Sequence, residues 1–237
     1  MPIVDALKRQ LHRDIVADPV VHAAVLNLYL NGECFPRRVT TYFPATGVDD
    51  PALASRVASH LRDEDRHVAL YTKAIGKLGQ PVVDQPENEV FNEVILKRTG
   101  VDFTFDAADT ADERVTKLGH FFAHLHFLEK RVVRSLEYHA DACAHSASPY
   151  VAKVVPAILA DETRHVAYTR EAVRALLPER AANAVLDTHR RGEAKANLDF
   201  SARQLARLVR EQSARFPRSR RLVYLACAKA MQAMIDA

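Results

Sequence analysis

The sequence predicts an all-helical protein built on a bundle of four long helices, and three observations carry that prediction. Glycine is scarce: 7 in 237 residues, about 3% where ~7% is usual. That is too few for the turns of a β-sandwich or for a glycine-rich phosphate loop. Apolar residues recur at helical spacing over long stretches punctuated by proline and glycine. A seven-residue block occurs twice, Asp-Glu-Asp-Arg-His-Val-Ala at 63–69 and Asp-Glu-Thr-Arg-His-Val-Ala at 161–167, with six of seven positions in agreement. Such a repeat marks a duplicated helix pair. The length suits a single domain over 1–237.

Six helical segments are expected. The first spans 19–43, with Asp18 as N-cap and a kink at Pro36. The second spans 51–78, with Pro51 in its first turn and Gly79 at its end. The third spans 111–144 and the fourth 149–177, stopped by Pro178. A fifth spans 179–215, and a sixth follows Pro217 to the C-terminus. The bundle proper is placed at about 19–177 and two extra C-terminal helices at about 179–237. Between the second and third helices, residues 80–110 hold Pro81, Pro86 and Gly100. They read as one long crossover with a short helix near 87–98. The strand-leaning run at 101–105 has no place in that scheme.

Composition narrows the function. Lys and Arg total 33 against 30 Asp and Glu, a net charge of +3. This is too mild and too dispersed for a nucleic-acid binder. The densest basic run, Arg215, Arg218, Arg220 and Arg221, reads as a solvated helix start. Three distant cysteines, Cys34, Cys143 and Cys227, form no Cys-x-x-Cys pair. They exclude a zinc ribbon, a rubredoxin-type iron site and a disulfide framework. A reducing cytoplasm fits, the polar N-terminus does not resemble a signal peptide, and no membrane span is expected.

The chemistry lies on the apolar faces. In the second helix Glu64 and His67 fall within the stripe of Val57, Leu61, Val68, Tyr71 and Ile75. In the fourth, Glu162 and His165 fall within that of Val155, Ile158, Val166 and Val173. Glu129 interrupts the stripe of the third helix, and Leu26 and Leu30 lead to Glu33 in the first. An i, i+3 spacing puts each Glu and its His on one face. Four carboxylates and two imidazoles thus converge on one core, which is prohibitive unless something positive is there. Two divalent cations balance four glutamates with both histidines neutral. Oxygen and nitrogen donors without thiolate favour iron or manganese. Glu-to-Glu gaps of 31 and 33 residues within the two pairs suit antiparallel neighbours that return to the same height. Asp63 and Asp161 precede the motif glutamates and are placed to hold the far-side histidines, Asp63 with His165 and Asp161 with His67. Arg66 and Arg164 are candidates to tie these acids.

One Glu from each of two helices and Glu-x-x-His from each of the other two is the ligand set of ferritin-like dimetal proteins. On these residues the chain resembles the ferritin-like carboxylate-bridged di-iron superfamily. Its doubled Asp-Glu-x-Arg-His is closer to bacterial multicomponent monooxygenases and acyl-carrier-protein desaturases than to iron-storage ferritins. In length it is similar to aldehyde-deformylating oxygenases. The resemblance implies a ferritin-like bundle with two Fe ions (or Mn/Fe) and O2. The expected activity is oxidation of a small, apolar organic substrate by hydroxylation, N-oxygenation or aldehyde deformylation. It also implies an external electron donor such as a ferredoxin and its reductase. The chain departs from the multicomponent monooxygenases in having Val133 where they carry Thr, one turn after the third Glu.

Further candidates are His60 as an extra ligand, Tyr71 as a redox residue and His126 behind Glu129. Phe122 and Leu125, with Phe121, Phe127 and Leu128, are candidates for a substrate pocket. A ferroxidase or rubrerythrin-like peroxidase is the alternative. It would need an acidic path for iron, for which Asp106, Asp109, Asp112 and Glu113 form the one acidic cluster; these residues also suit a helix start. A homodimer through the C-terminal helices is a further expectation.

Overall fold

The computed structural model of the chain describes residues 2–33, 48–144, 146 and 148–236. Among these residues there are eight α-helices and no strand. The helices are α1 (Pro2–Ala17), α2 (Pro19–Glu33), α3 (Pro51–Lys77), α4 (Phe91–Thr99), α5 (Ala111–Cys143), α6 (Pro149–Leu176), α7 (Glu179–Glu211) and α8 (Arg218–Asp236). None is long and apolar enough to cross a membrane.

Local chemistry sets most boundaries. The Asp18 carboxylate accepts from the Val20 and Val21 amides at the start of α2. Asp50 accepts from Ala52, with Pro51 in the first turn of α3. Thr110 and Glu113 form a reciprocal capping box on α5. Gly79 and Gly100 adopt positive φ just beyond α3 and α4, where a side chain would be strained. The expected fifth helix ends sooner, at Glu211, and a 3-10 turn at Ser213–Arg215 leads into α8. The stretch 34–43 expected to extend the first helix, with Cys34 and Pro36, lies outside the described residues. Helix α1 was not expected. Its Leu11, His12, Ile15 and Val16 form a narrow inward face, a signal too short to stand out in a polar segment.

Helices α2, α3, α5 and α6 share a core that includes Leu26, Leu30, Tyr71, Ile75, Leu136, Val155 and Ile158. Their cross-contacts establish direction. Along α2 and α5, His22 meets His139 and Tyr29 meets Ser135. Along α3 and α6, Arg56 meets Glu171, His60 meets Tyr168 and His67 meets Asp161. Numbers rise on one helix as they fall on the other, so both pairs are antiparallel. The long connection after α3 lets α5 start again from the other end of the bundle.

That connection is fastened by two asparagines one turn apart. Asn27 accepts from the Val83 amide at 2.8 Å and donates to the Pro81 carbonyl at 3.2 Å. Asn31 accepts from the Gln85 amide at 2.8 Å and donates to the Val83 carbonyl at 2.9 Å. The two side-chain amides thus satisfy an extended backbone as a neighbouring strand would. Farther along, Phe103 is buried against Phe121 and His124, and Val101 and Phe105 pack on the same core. The alternation at 101–105 therefore serves a one-sided extended segment rather than a sheet.

Helix α7 covers the bundle and packs on α4, α5 and α8. Gly192 permits the approach of α4, since a Cβ there would lie 3.0 Å from the Thr99 Cα. Two of the C-terminal arginines reach α1 and its junction with α2: Arg215 pairs with Asp18 and Arg220 with Asp14.

Asn27→Ala deletes the clamp on Val83 and Pro81 and leaves backbone groups unpaired. The expected loss is about 2 kcal/mol of unfolding free energy in urea titration, with helical content retained.

Candidate metal centre

Glu33, Glu64, His67 and Glu162 form one group of buried side chains whose ligand atoms all lie within 4.8 Å of one another. His60, Glu64 and His165 form a second that shares Glu64. Glu129 joins the second through His60, whose Nε2 is 3.6 Å from Glu129 Oε1 and 3.0 Å from Glu64 Oε1. The helices position these atoms simply: each i, i+3 pair projects from one face of α3 or α6, while α2 and α5 contribute one glutamate each.

The donors are arranged in two halves. Glu162 is 3.1 Å from His67 Nδ1 and 3.0 Å from His165 Nδ1. Glu64 is 4.0 Å from the first and 3.6 Å from the second. These two glutamates therefore serve both halves. Glu33 stands on the His67 side at 3.4 Å, and Glu129 on the His60 side. Both motif histidines aim Nδ1 inward.

Their outward nitrogens meet the preceding acids across the bundle. His67 Nε2 is 3.1 Å from Asp161, and His165 Nε2 is 3.3 Å from Asp63. Arg66 binds Asp63 at 3.0 Å and also Asp161. Arg164 binds Asp161 and lies 3.5 Å from Asp63. Two acids, two arginines and two imidazoles thus form a network with approximate twofold symmetry at the mouth of the site. Burial raises the affinity of Asp63 and Asp161 for protons, but the arginine and histidine hydrogen bonds prevail and hold both acids below their usual range. As anions they orient the imidazoles and increase their basicity.

Without cations the interior must find charge elsewhere. Burial and the Glu64 charge push Glu33 well above the ordinary carboxylate range. Burial and the Glu162 charge raise Glu129. Burial opposes the charged form of His67, but hydrogen bonds to Glu162 and Glu33 lift it to about 11. The raised proton affinity of Glu33, Glu129 and His67 offsets part of the negative charge that metal ions would otherwise balance. A set of four glutamates and two or three imidazoles without thiolate fits hard or borderline divalent ions such as iron or manganese.

The remaining candidates are placed as follows. His60 shares a 2.6 Å hydrogen bond with the Tyr168 hydroxyl, and its ring stacks on His165 at 3.7 Å. Its counterpart in the repeat is Ile158, so the two halves are unequal. Tyr168 follows the second repeat without a sequence signal for its bond to His60; it stands three residues after His165, where Tyr71 stands four after His67. Tyr71 is buried 5.8 Å from Tyr29, ring to ring, and its hydroxyl has no hydrogen-bond partner among the described residues. His126 bonds the Val166 carbonyl of α6. Phe122 and Leu125 are core side chains, with Phe122 against Phe121 and Tyr168. Two surface grooves, of about 380 and 350 Å3, are not lined by Phe122 or Leu125; Phe127 lines the second. In the acidic run, Asp109 pairs with Lys117 and Glu113 caps α5.

No family model, curated protein or solved structure matches this chain.

Asp161→Asn keeps the side-chain shape but removes the charge behind His67. Affinity for ferrous or manganous ion, read by competition with a chelator, is expected to fall ~10–100-fold. The metal-free protein is also expected to lose stability with rising pH. His67 binds its proton more tightly folded than unfolded. Its contribution is full below the unfolded value of 6.5 and disappears as pH climbs through about 11. Glu33 acts with the same sign. The melting temperature should fall across that window in metal-free protein and much less in His67→Gln.

Proposed function

We propose that the protein is a ferritin-like dimetal oxidase or oxygenase that uses two Fe ions (or Mn/Fe) and O2 to oxidise a small, apolar organic substrate. The observation that carries this reading is the convergence of Glu33, Glu64, His67, Glu129, Glu162 and His165, with His60, on one buried point between four helices. Four helices with one long crossover and two Glu-x-x-His motifs are the ferritin-like arrangement. Two reduced ions bound there supply the Lewis acidity and electrons that activate dioxygen.

The chain's own residues do the rest. Glu64 and Glu162 sit where each can serve both ions. Glu33 and Glu129 each complete one side. His60 adds a third imidazole on the Glu129 side, which makes that half richer in nitrogen and the two positions unequal. Asp63 and Asp161 hold protons on the outward nitrogens of His165 and His67, so the inward nitrogens stay free to ligate. Arg66 and Arg164 keep those acids charged and close the mouth with flexible, half-exposed side chains. Apolar neighbours such as Phe122, Leu125 and Ile158 keep water away. Electrons for turnover come from an external donor of the ferredoxin type, because the chain carries no flavin or nicotinamide motif.

Anaerobic loading with ferrous ion should give about two ions per chain in the wild type and one or fewer in Glu129→Ala. On admission of O2, the loaded wild type should consume it and oxidise a member of an aldehyde, arylamine and acyl panel when given a chemical reductant. Absence of bound metal in a folded protein would end the dimetal reading. Repeated oxidation of ferrous ion or reduction of peroxide with no organic product would shift it to iron handling.

A further inference from the structure

A second group of ligand atoms lies at the other end of the α2–α5 contact, outside the site described above. His22 near the start of α2 and His139 and Cys143 in the last turns of α5 are all buried, at 0% exposure. Their ligand atoms fall within 4.8 Å of one another. His22 Nε2 and His139 Nε2 are 2.8 Å apart, and Cys143 Sγ is 3.9 Å from His22 Nε2. From these residues we infer a separate binding site for a soft monovalent metal ion of the cuprous class, held by one thiolate and two imidazoles. The inference is independent of the proposed oxidase activity.

Three observations support it. First, His139 has its other ring nitrogen fixed: Nδ1 lies 3.2 Å from the Tyr29 hydroxyl, which is 3.0 Å from Ser135 Oγ. With Nδ1 donating, the Nε2 lone pair points at His22 and Cys143, the outer support typical of a ligating histidine. Second, the ion-free arrangement is poorly satisfied. If His139 Nε2 accepts, His22 Nε2 must donate. That leaves His22 Nδ1 as a buried acceptor, and it has no hydrogen-bond partner, an arrangement that costs free energy. Third, the distances suit a small ion. With bonds of about 2.0 Å to nitrogen and 2.3 Å to sulfur, trigonal geometry needs nitrogens ~3.5 Å apart and sulfur ~3.7 Å from nitrogen. Cys143 Sγ already stands 3.9 Å from His22 Nε2 and within 4.8 Å of the His139 ligand atom, and the imidazoles need to part by about 0.7 Å.

Charge selects the ion. Ala142, Leu136, Val151 and Val16 belong to the same apolar cluster as Cys143, and no carboxylate belongs to the ligand group. Burial holds the Cys143 proton tightly; binding of the ion displaces it to solvent, and the resulting thiolate neutralises a monovalent cation and leaves a buried site with no net charge. A divalent ion would leave one positive charge in a low-dielectric interior, which is costly. Thiolate with imidazole also ranks among the preferred donors of cuprous ion. The bound ion would pin the start of α2 to the end of α5.

The test is an anaerobic titration of the full chain with cuprous ion against a chromophoric chelator. One tight equivalent is expected for the wild type and for Cys34→Ser/Cys227→Ser. A loss of at least tenfold in affinity is expected for Cys143→Ser and for His22→Phe. X-ray absorption of the loaded wild type should give one sulfur and two nitrogen neighbours. Loading should raise the melting temperature of the wild type and leave that of both site variants unchanged, and the wild-type result alone remains decisive if a variant fails to fold. No uptake by the wild type, uptake retained in both folded site variants, or a preference for zinc over cuprous ion would each overturn the inference.

Discussion

Four glutamate side chains and three imidazoles converge inside a bundle whose buried core is mostly apolar. Burying one ion without compensation costs several kcal/mol, so the molecule is organised around neutralising that charge. Part of the task falls to raised proton affinity at Glu33 and His67. Two divalent ions, as proposed, would match it better, because they would balance four carboxylates and accept both motif imidazoles as neutral ligands. Asp63, Asp161, Arg66 and Arg164 extend the same balance outward to the surface.

This constraint ties the site to the register of the helices. Antiparallel pairing of α2 with α5 and of α3 with α6 brings residues from distant parts of the chain to one height. A sliding of α2 or α6 along α3 by one turn would separate Glu33 or Asp161 from His67. Asn27 and Asn31 oppose such sliding by fastening the crossover to α2, and α7 and α4 interlock through the close approach at Gly192. The electrostatic centre and the packing around it therefore support each other: the bundle holds the acids together, and whatever neutralises them holds the bundle.

The inequality of the two halves follows from single substitutions within a repeat. His60 on α3 corresponds to Ile158 on α6, and Tyr71 to Thr169. The duplicated motif supplies a symmetric frame, and these departures give one side an extra nitrogen donor backed by Tyr168 and the other a tyrosine in an apolar enclosure.

Much of this was present in the linear pattern. Helix spacing, capping residues and the repeated Asp-Glu-x-Arg-His determined the long helices α3, α5 and α6 and the faces that carry Glu64, His67, Glu129, Glu162 and His165, because periodicity and i, i+3 geometry are local properties. Other features depended on the assembled molecule. The weak inward face of α1 gained meaning only once α2 and α5 were there to cover it. Asn27 and Asn31 found their partners more than fifty residues away in a stretch without a pattern of its own. The stacking of His60 on His165 and its bond to Tyr168 required α3 and α6 to lie antiparallel at one register. Phe122 and Leu125, which the sequence placed near the site, became packed core because α4, α7 and the 101–105 segment fold over them. Local spacing determines which side chains share a face; only the tertiary structure decides which faces meet, since that depends on the burial of surfaces remote in the chain.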